Sequence, residues 1–404
     1  MINDPIYGFI SIPNELVFDI IEHRYLQRMR RIRQLGVSDL VYPGAVHSRF
    51  HHALGAMHLM TKALNTLRDK GHDISDKEME AAQIAILLHD LGHGPFSHSL
   101  EYSIFPELPH EQLSLLLMKR INEEFDGALD LALEIFQGTY QRKFLNQLVS
   151  SQLDVDRLDY LQRDSFFTGV QEGTIGSDRI IKMLNLVDDE LVVEEKGIYS
   201  IENFLSARRL MYWQVYLHKA AVGADVMLTN LIKRARKVSQ ENGSLSATPG
   251  LLFFLKNETT ANDFIQKPEL LETFCELDDS DIWGSLKFWA KSDDFILSQL
   301  SQHLLNRRLY AIDLTNELPE KSRIAELRRK AQTLYAINEK ESKSFVNKGT
   351  VSNAAYVLKD QTINILTKSG EVKDVAQATD LPNIKAMSKI VTKHYLCYPK
   401  ELTL

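Results

Sequence analysis

The sequence predicts a mainly α-helical fold: an all-helical core with a small β-hairpin, followed by a C-terminal α+β region. Three observations predict it. Apolar residues recur at helical spacing through most of the first 240 positions. A Ser-, Gly- and Pro-containing stretch, "SQENGSLSATPG" (239–250), then breaks the pattern. Well beyond it lies a segment with strand-like alternation.

Taken in order, "NELVFDIIEHRYLQRMRRIRQLG" places Leu16, Ile20, Ile21, Leu26, Met29 and Ile32 at roughly helical spacing, and Gly36 supplies a stop. The run "RMRRIR" (28–33) within it reads by itself as the solvated face of an amphipathic helix. "SDKEMEAAQIAILLHDLG" begins with a Ser75 cap and acids in the first turn, becomes apolar, and ends at Gly92. "HEQLSLLLMKRINEEF" is a further amphipathic helix, and "ELVVEE" with "GIYSI" reads as a strand pair turning at Lys196-Gly197. A long helical stretch is expected from about Glu202 to Gln240, with a break near Gly223. Past the linker, helical patterns run to about Glu339, and "YVLKDQTINILTKSGEVKDVAQ" alternates around Ser369-Gly370 as a small hairpin.

Bulk properties narrow the function classes. The 404 residues suffice for a substantial core, and 44% hydrophobic with 25% charged residues is an ordinary globular composition. The two cysteines, Cys275 and Cys397, lie far apart, which argues against a disulfide framework or a thiolate zinc site. "MINDPIYGF" has no basic stretch followed by an apolar one, and no run approaches the ~18 apolar residues of a membrane span, so the expectation is a soluble cytoplasmic protein. The net charge of −7 speaks against a general nucleic-acid coat.

The chemistry is concentrated in "HDLGHGPFSH" (89–98), which holds three of the chain's 13 histidines and an aspartate. A lone His-Asp pair is common by chance, and a lone interior histidine is more often a hydrogen-bonded core residue than a ligand. Clustering changes that balance, because several buried imidazoles without ligands or partners are costly. Adjacent helical residues point ~100° apart, so His89 and Asp90 can both reach one ion near the helix end. His52 in "SRFHHALG" and Asp156 in "QLDVDRLDY" could complete the set. Imidazole with carboxylate suits one divalent transition metal (Mn, Fe, Ni or Zn), and two carboxylates keep Mg open.

On these residues and on motifs in order, "RIRQLGVSDLVYPGAVHSRFHHALG", "LLHDLGHGPFSHSLE", "HEQLS", "LDVDRLDYLQRD" and "ARRLMYWQVYLHK", the chain resembles the HD-domain phosphohydrolases, specifically the deoxynucleoside triphosphate triphosphohydrolase branch. The resemblance runs from "DPIYGFI" through "LHKAAVG", over half the chain. It implies an HD catalytic domain over 1–240; the region over 241–404 matches less distinctly and is expected by itself to be α+β, packed on the catalytic domain and involved in oligomerisation. It implies hydrolysis at the α-phosphorus of a dNTP, giving a deoxynucleoside and inorganic triphosphate, and a homo-oligomer, tetramer before dimer.

Residue by residue, the resemblance implies metal ligands at His52, His89, Asp90 and Asp156. It implies reaction machinery at His93, His98, Glu101 and His110, with proton transfer by His110 with Glu101 or by His98. Arg49, Arg157 and Arg208 match phosphate contacts, although the family often has Lys where Arg157 stands. Gln34, Tyr160 and Asp164 match groups on the 3′-hydroxyl side, Leu35 and Tyr160 match groups that crowd the 2′ position, and Tyr216 matches a base contact. Leu217, often polar in the family, leaves base preference open. Glu22, Gln27, Arg30, His218 and Lys219 match positions that hold an activating nucleotide between subunits, against the plain reading of Arg30 as a surface cation. A phosphatase acting on another nucleotide or phosphoester, and a non-catalytic nucleotide sensor, are the alternatives, because the scaffold alone does not specify substrate.

Overall fold

In the computed structural model, which describes residues 1–96, 108–242, 245–353, 362–380 and 390–403, the chain opens with an antiparallel hairpin of β1 (Ile2–Asp4) and β2 (Gly8–Ile10). Its turn is held by Asp4, whose side chain accepts the Ile6 and Tyr7 amides at 2.9 and 3.0 Å. The first expected helix is two. α1 (Glu15–Glu22) is capped by Asn14 and buries Val17, Ile20 and Ile21. The chain is extended at His23, whose Nδ1 accepts the Tyr25 amide and so starts α2 (Arg24–Arg28). A side chain that offers the backbone a cap competes with continuing the helix.

Two long helices follow, α3 (Arg49–Asp69) and α4 (Asp76–Leu88). α4 starts at the expected Ser75, in a reciprocal cap with Glu78. Next come α5 (His110–Glu124), α6 (Asp130–Gln137), α7 (Lys143–Val149), α8 (Val155–Thr168) and α9 (Ser177–Met183). α3 lies at the centre, packed on α4 and α8.

The expected strand pair is corrected. β3 (Leu184–Val187) pairs with β4 (Glu190–Glu194) through a turn at Asp188-Asp189, both at positive φ, and "GIYSI" instead begins α10 (Ile198–Met211). "GIYSI" alternates too briefly to separate strand from helix, and burial of Ile201 and Phe204 on one helical face decides for helix. The break expected near Gly223 falls earlier, at a π-helical turn, Tyr212–Tyr216, before α11 (Lys219–Asn242). Gly223 sits within α11, where its missing Cβ admits the Ile312 side chain and the Tyr310 carbonyl, at 3.3 and 3.5 Å from that position.

The C-terminal region carries α12 (Pro249–Lys256), α13 (Ala261–Gln266), α14 (Glu269–Cys275), α15 (Asp279–Trp289) and α16 (Phe295–Leu305). Then follow β5 (Ala311–Thr315), α17 (Lys321–Tyr335), α18 (Glu339–Ser342), β6 (Asn347–Asn353), β7 (Asn364–Leu366), β8 (Val372–Asp374), α19 (Val375–Ala378) and β9 (Val391–Tyr398). β7 and β8 form the hairpin expected around Ser369-Gly370, with Gly370 at φ 83°; the "YVLKDQ" part of that expectation lies outside the described residues. β7 also pairs in parallel with β4, so the two hairpins make one sheet ordered β3-β4-β7-β8. A second sheet is ordered β5-β9-β6. One apolar core runs without interruption from Ile10 to Cys397, with a smaller cluster around Leu327 and Leu396.

Candidate functional site

Three helix ends gather three donors, His52, His89 and Asp156, within 4.8 Å of one another, and Asp90 stands beside His89. His52 lies in the first turn of α3, His89 and Asp90 follow the last turn of α4, and Asp156 lies in the first turn of α8. His52 Nε2 is 3.1 Å from Asp156 Oδ1 and 3.4 Å from His89 Nε2; His89 Nε2 is 3.5 Å from Asp156 Oδ1 and 3.4 Å from Asp90 Oδ1. Asp90 Oδ2 is 3.9 Å from His52 Nε2. Donor–ion bonds of about 2.1 Å put neighbouring donors about 3.0–3.4 Å apart, so the His52, His89 and Asp156 spacings of 3.1, 3.4 and 3.5 Å suit one transition-metal ion, whereas Asp90, whose Oδ2 is 3.9 Å from His52 and bonded to Arg49, stands farther out. The imidazole–carboxylate chemistry fits it too. Burial disfavours a charged His52, yet its hydrogen bonds to Asp156 and Asp159 outweigh it and push the imidazole up to about 10.

The other ring nitrogens are committed. His89 Nδ1 donates to the Ile86 carbonyl at 2.5 Å, and His52 Nδ1 to Asp159 Oδ2 at 2.7 Å, which directs both Nε2 atoms to the centre. Asp159 is fully buried; burial opposes its charge, but Arg163 and His52 hold the carboxyl down at about 2. Ser114 of α5 clamps the turn after α4, donating to the His89 carbonyl at 2.7 Å and accepting the Gly92 amide at 2.9 Å. A Cβ on Gly92 would stand 2.0 Å from the His110 carbonyl oxygen, so only glycine lets α5 come this close.

His93 and His110 stack at 3.8 Å beside the four donors, and His93 Nε2 is 3.3 Å from Asp90 Oδ1. Burial, then the Arg49 guanidinium, pushes His93 well below the usual histidine range, so its ring is neutral. Arg49 is buried and donates to Asp90 Oδ2 at 2.5 Å. Burial would raise Asp90, but His89 and Arg49 hold it well below the usual carboxylate range. His98 and Glu101 lie outside the described residues.

Next to Asp156, Arg157 pairs with Asp154, and buried Arg208 donates to Gln152 at 3.1 Å. Arg157 Nε and Arg208 Nε are buried without an acceptor among the described residues. Both guanidiniums act on Tyr160, whose phenol burial holds far above its ordinary range. The Tyr160 ring lies 6.5 Å from His52 and 6.2 Å from Tyr216. Tyr216, on the π-helical turn, donates to Asp164 Oδ2 at 2.8 Å, while His47 Nε2 lies 2.7 Å from Asp164 Oδ1. Gln34 joins through its amide, which donates to the His47 carbonyl at 3.0 Å; its Oε1 is buried without a donor among the described residues. Leu35 is half-buried against the core.

The sequence reading missed His47, Gln152, Asp159 and Arg163. All sit inside the quoted motifs, and Asp159 and Arg163 are four apart on α8, one turn beyond Asp156. The "RMRRIR" run is not one solvated face. Arg28 is buried, donates to the Leu277 and Leu91 carbonyls at 2.7 and 3.3 Å, and lies over the Phe274 ring. Arg31 pairs with Asp278 and Arg33 with Asp39. Arg30 is exposed, bonded to Gln27 at 2.8 Å and stacked over Phe50 at 3.7 Å, with exposed Glu22 on the preceding helix. His218 caps α11 by accepting the Ala220 amide at 3.2 Å, and Lys219 is exposed.

Comparison with known proteins agrees with this geometry. Residues 49–164 match the HD domain model and 175–248 an HD-associated region. The chain is 31% identical to the uncharacterised protein YwfO of Bacillus subtilis, over 99% of this chain and 92% of that one. It is 31% identical to human deoxynucleoside triphosphate triphosphohydrolase SAMHD1, over 58% of this chain and 44% of that one. The crystal structure of a phosphohydrolase from Bacteroides thetaiotaomicron superposes with a TM-score of 0.95 at 51% identity, covering 98% of each chain.

Proposed function

The chain belongs to the HD-domain phosphohydrolases, in their dNTPase-like branch, and we propose that it hydrolyses deoxynucleoside triphosphates to deoxynucleoside and inorganic triphosphate. The observation that carries this reading is the grouping of His52, His89 and Asp156, with Asp90 beside His89 and the stacked His93–His110 pair next to them. A divalent ion bound there supplies Lewis acidity toward a phosphate oxygen and lowers the pKa of water.

The remaining work falls to the side chains. His52, His89, Asp90 and Asp156 would hold the ion. Neutral His93 can donate to an α-phosphate oxygen or accept a proton, and Arg49 offsets charge that develops at phosphorus. His110 with Glu101, or His98, would protonate the departing 5′-oxygen. Arg157 and Arg208, each with a buried Nε–H lacking an acceptor among the described residues, suit the triphosphate tail, since an unpaired buried donor costs about 1–3 kcal/mol. Gln34 Oε1 is a buried acceptor that suits the 3′-hydroxyl, with Asp164 behind it; Leu35 and the Tyr160 ring fill the 2′ side, and Tyr216 lies toward the base. We further assign residues 1–240 to catalysis and 241–404 to a packed accessory region. The working state is a cytoplasmic homo-oligomer, activated by a nucleotide held at Glu22, Gln27, Arg30, His218 and Lys219.

Product identity tests the reading. With four dNTPs and four NTPs, alone and in mixed pairs, and with Mn or Mg, tripolyphosphate is expected from dNTPs. Orthophosphate would identify a phosphatase of another kind, pyrophosphate a different cleaved bond, and no turnover a sensor.

A further inference from the structure

We propose that Asp159, Arg163 and Asp4 form a positioning relay that aims the His52 imidazole, so that the N-terminal hairpin sets how tightly the divalent ion is held. The proposal rests on the metal reading above and adds three residues, none of them a ligand.

An unbroken line of hydrogen bonds carries it. His52 Nδ1 donates to Asp159 Oδ2 at 2.7 Å, which leaves the Nε2 lone pair facing the other donors. Arg163 grips the same carboxylate with two prongs, Nε to Oδ2 and Nη2 to Oδ1, both 2.9 Å. Its third nitrogen, Nη1, donates to Asp4 Oδ2 at 2.8 Å. The other Asp4 oxygen closes the β1–β2 turn through the Ile6 and Tyr7 amides. All four side chains are buried, so Arg163 cannot swing away without leaving charge unpaired.

A second feature shows that the main chain makes room for this line. Gly55 lies on α3 one turn after His52, and a Cβ there would stand 2.0 Å from Asp159 Oδ1 and 2.2 Å from Arg163 Nη2. The charges also have the right sign. One guanidinium between two carboxylates leaves a net negative charge behind the imidazole, which strengthens Nε2 as a donor to a cation. A mere fold brace would need neither this sign nor the contact with Nδ1.

The test measures zinc(II) binding, without nucleotide, to the full chain by competition with a chelator. Wild type is compared with Asp159→Asn and Asp4→Asn, beside the melting temperature of each ion-free protein. Asp159→Asn keeps an oxygen for Nδ1–H but removes the charge, and is expected to weaken zinc affinity about 10–100-fold. Asp4→Asn, one link further out, is expected to weaken it a few-fold. Wild-type affinity in both variants, with only the ion-free melting temperatures lowered, makes the line a brace and overturns the proposal. If Asp159→Asn does not fold, unchanged affinity in Asp4→Asn overturns it by itself. A wild-type chain that takes up no divalent ion is a different result, because it removes the metal reading on which the relay stands.

Discussion

His89 and Asp90 stand just past the end of α4, and each has a partner that fixes its aim: the Ile86 carbonyl for His89, Arg49 for Asp90. His89→Ala or Asp90→Ala should therefore lose bound metal and nearly all hydrolysis while circular dichroism stays helical; full metal content by elemental analysis in either variant rejects the assignment. Gly55 shows how a contact can reverse a propensity. Gly to Ala inside a helix ordinarily gains about 1 kcal/mol. Here the new methyl meets Asp159 and Arg163 at 2.0 and 2.2 Å, too close for a flexible end to give way inside a two-pronged pair. Overpacking costs about 1–3 kcal/mol or more, so Gly55→Ala should lower the melting temperature, and a rise would mean the pair has slack. Tyr160 stands four residues past Asp156, within one turn of the donors and edge-on to His52. If its ring fills the 2′ side, Tyr160→Ala should lower dNTP turnover and narrow a dNTP-over-NTP preference expected at roughly a hundredfold. An unchanged ratio in competition assays would make Tyr160 core packing alone.

Among the elements, α15 has a part in the site despite its distance in sequence. Its residue Asp279 accepts the amides of Arg33 and Phe96, both at 2.9 Å, and so ties the segment before α3 to the loop that follows the His-Asp turn. Burial pushes this carboxyl up to about 6, against the pull of those two amides. Its folded value lies above the unfolded value of about 3.9, so the folded state holds the proton more tightly. The stability this proton contributes is present in full below about pH 4 and is lost as pH rises through about 6. Asp279→Asn, which cannot ionise, should melt below wild type in acid, where it lacks one amide acceptor. The gap should narrow as pH rises through 6 in scans from pH 4 to 8; a widening gap would show the carboxylate to be comfortable in its charged form. The π-helical turn at Tyr212–Tyr216 is the other irregular element. It interrupts one long apolar helix at the place where Tyr216 reaches Asp164, and such turns recur at functional sites.

Across the whole molecule, the regions before and after the Ser-, Gly- and Pro-containing stretch share one interior; that stretch is no free linker, since α11 runs on to Asn242 and α12 starts at Pro249. β7 extends the sheet begun by β3 and β4, Trp289 donates to the Ser246 carbonyl at 2.8 Å, and Arg28 of the first region is buried against Leu277 and Phe274 of the second. Neither region can open without exposing apolar surface and an unpaired guanidinium. Calorimetry of the ion-free chain should accordingly show a single unfolding transition; two separated transitions would mean that the shared core contributes little.

The sequence alone determined the mainly helical class, the Ser75 cap and the β7–β8 turn, and it marked out His52, His89 and Asp156, which the fold groups within 4.8 Å. These follow from periodicity, local capping chemistry and residue types clustered within short motifs, all of which act over a few residues. Tertiary structure decided the rest. Whether "GIYSI" is strand or helix depends on which face finds the core, and whether Arg28 faces water depends on α14 and α15, roughly 250 residues away. His47, Asp159 and Arg163 were in plain view in the motifs, but their roles are pairings: Asp159 matters because α3 brings His52 to it, and Arg163 because the N-terminal hairpin brings Asp4. Local spacing encodes which residues share a helix face, and only packing between helices chooses the partner across the gap.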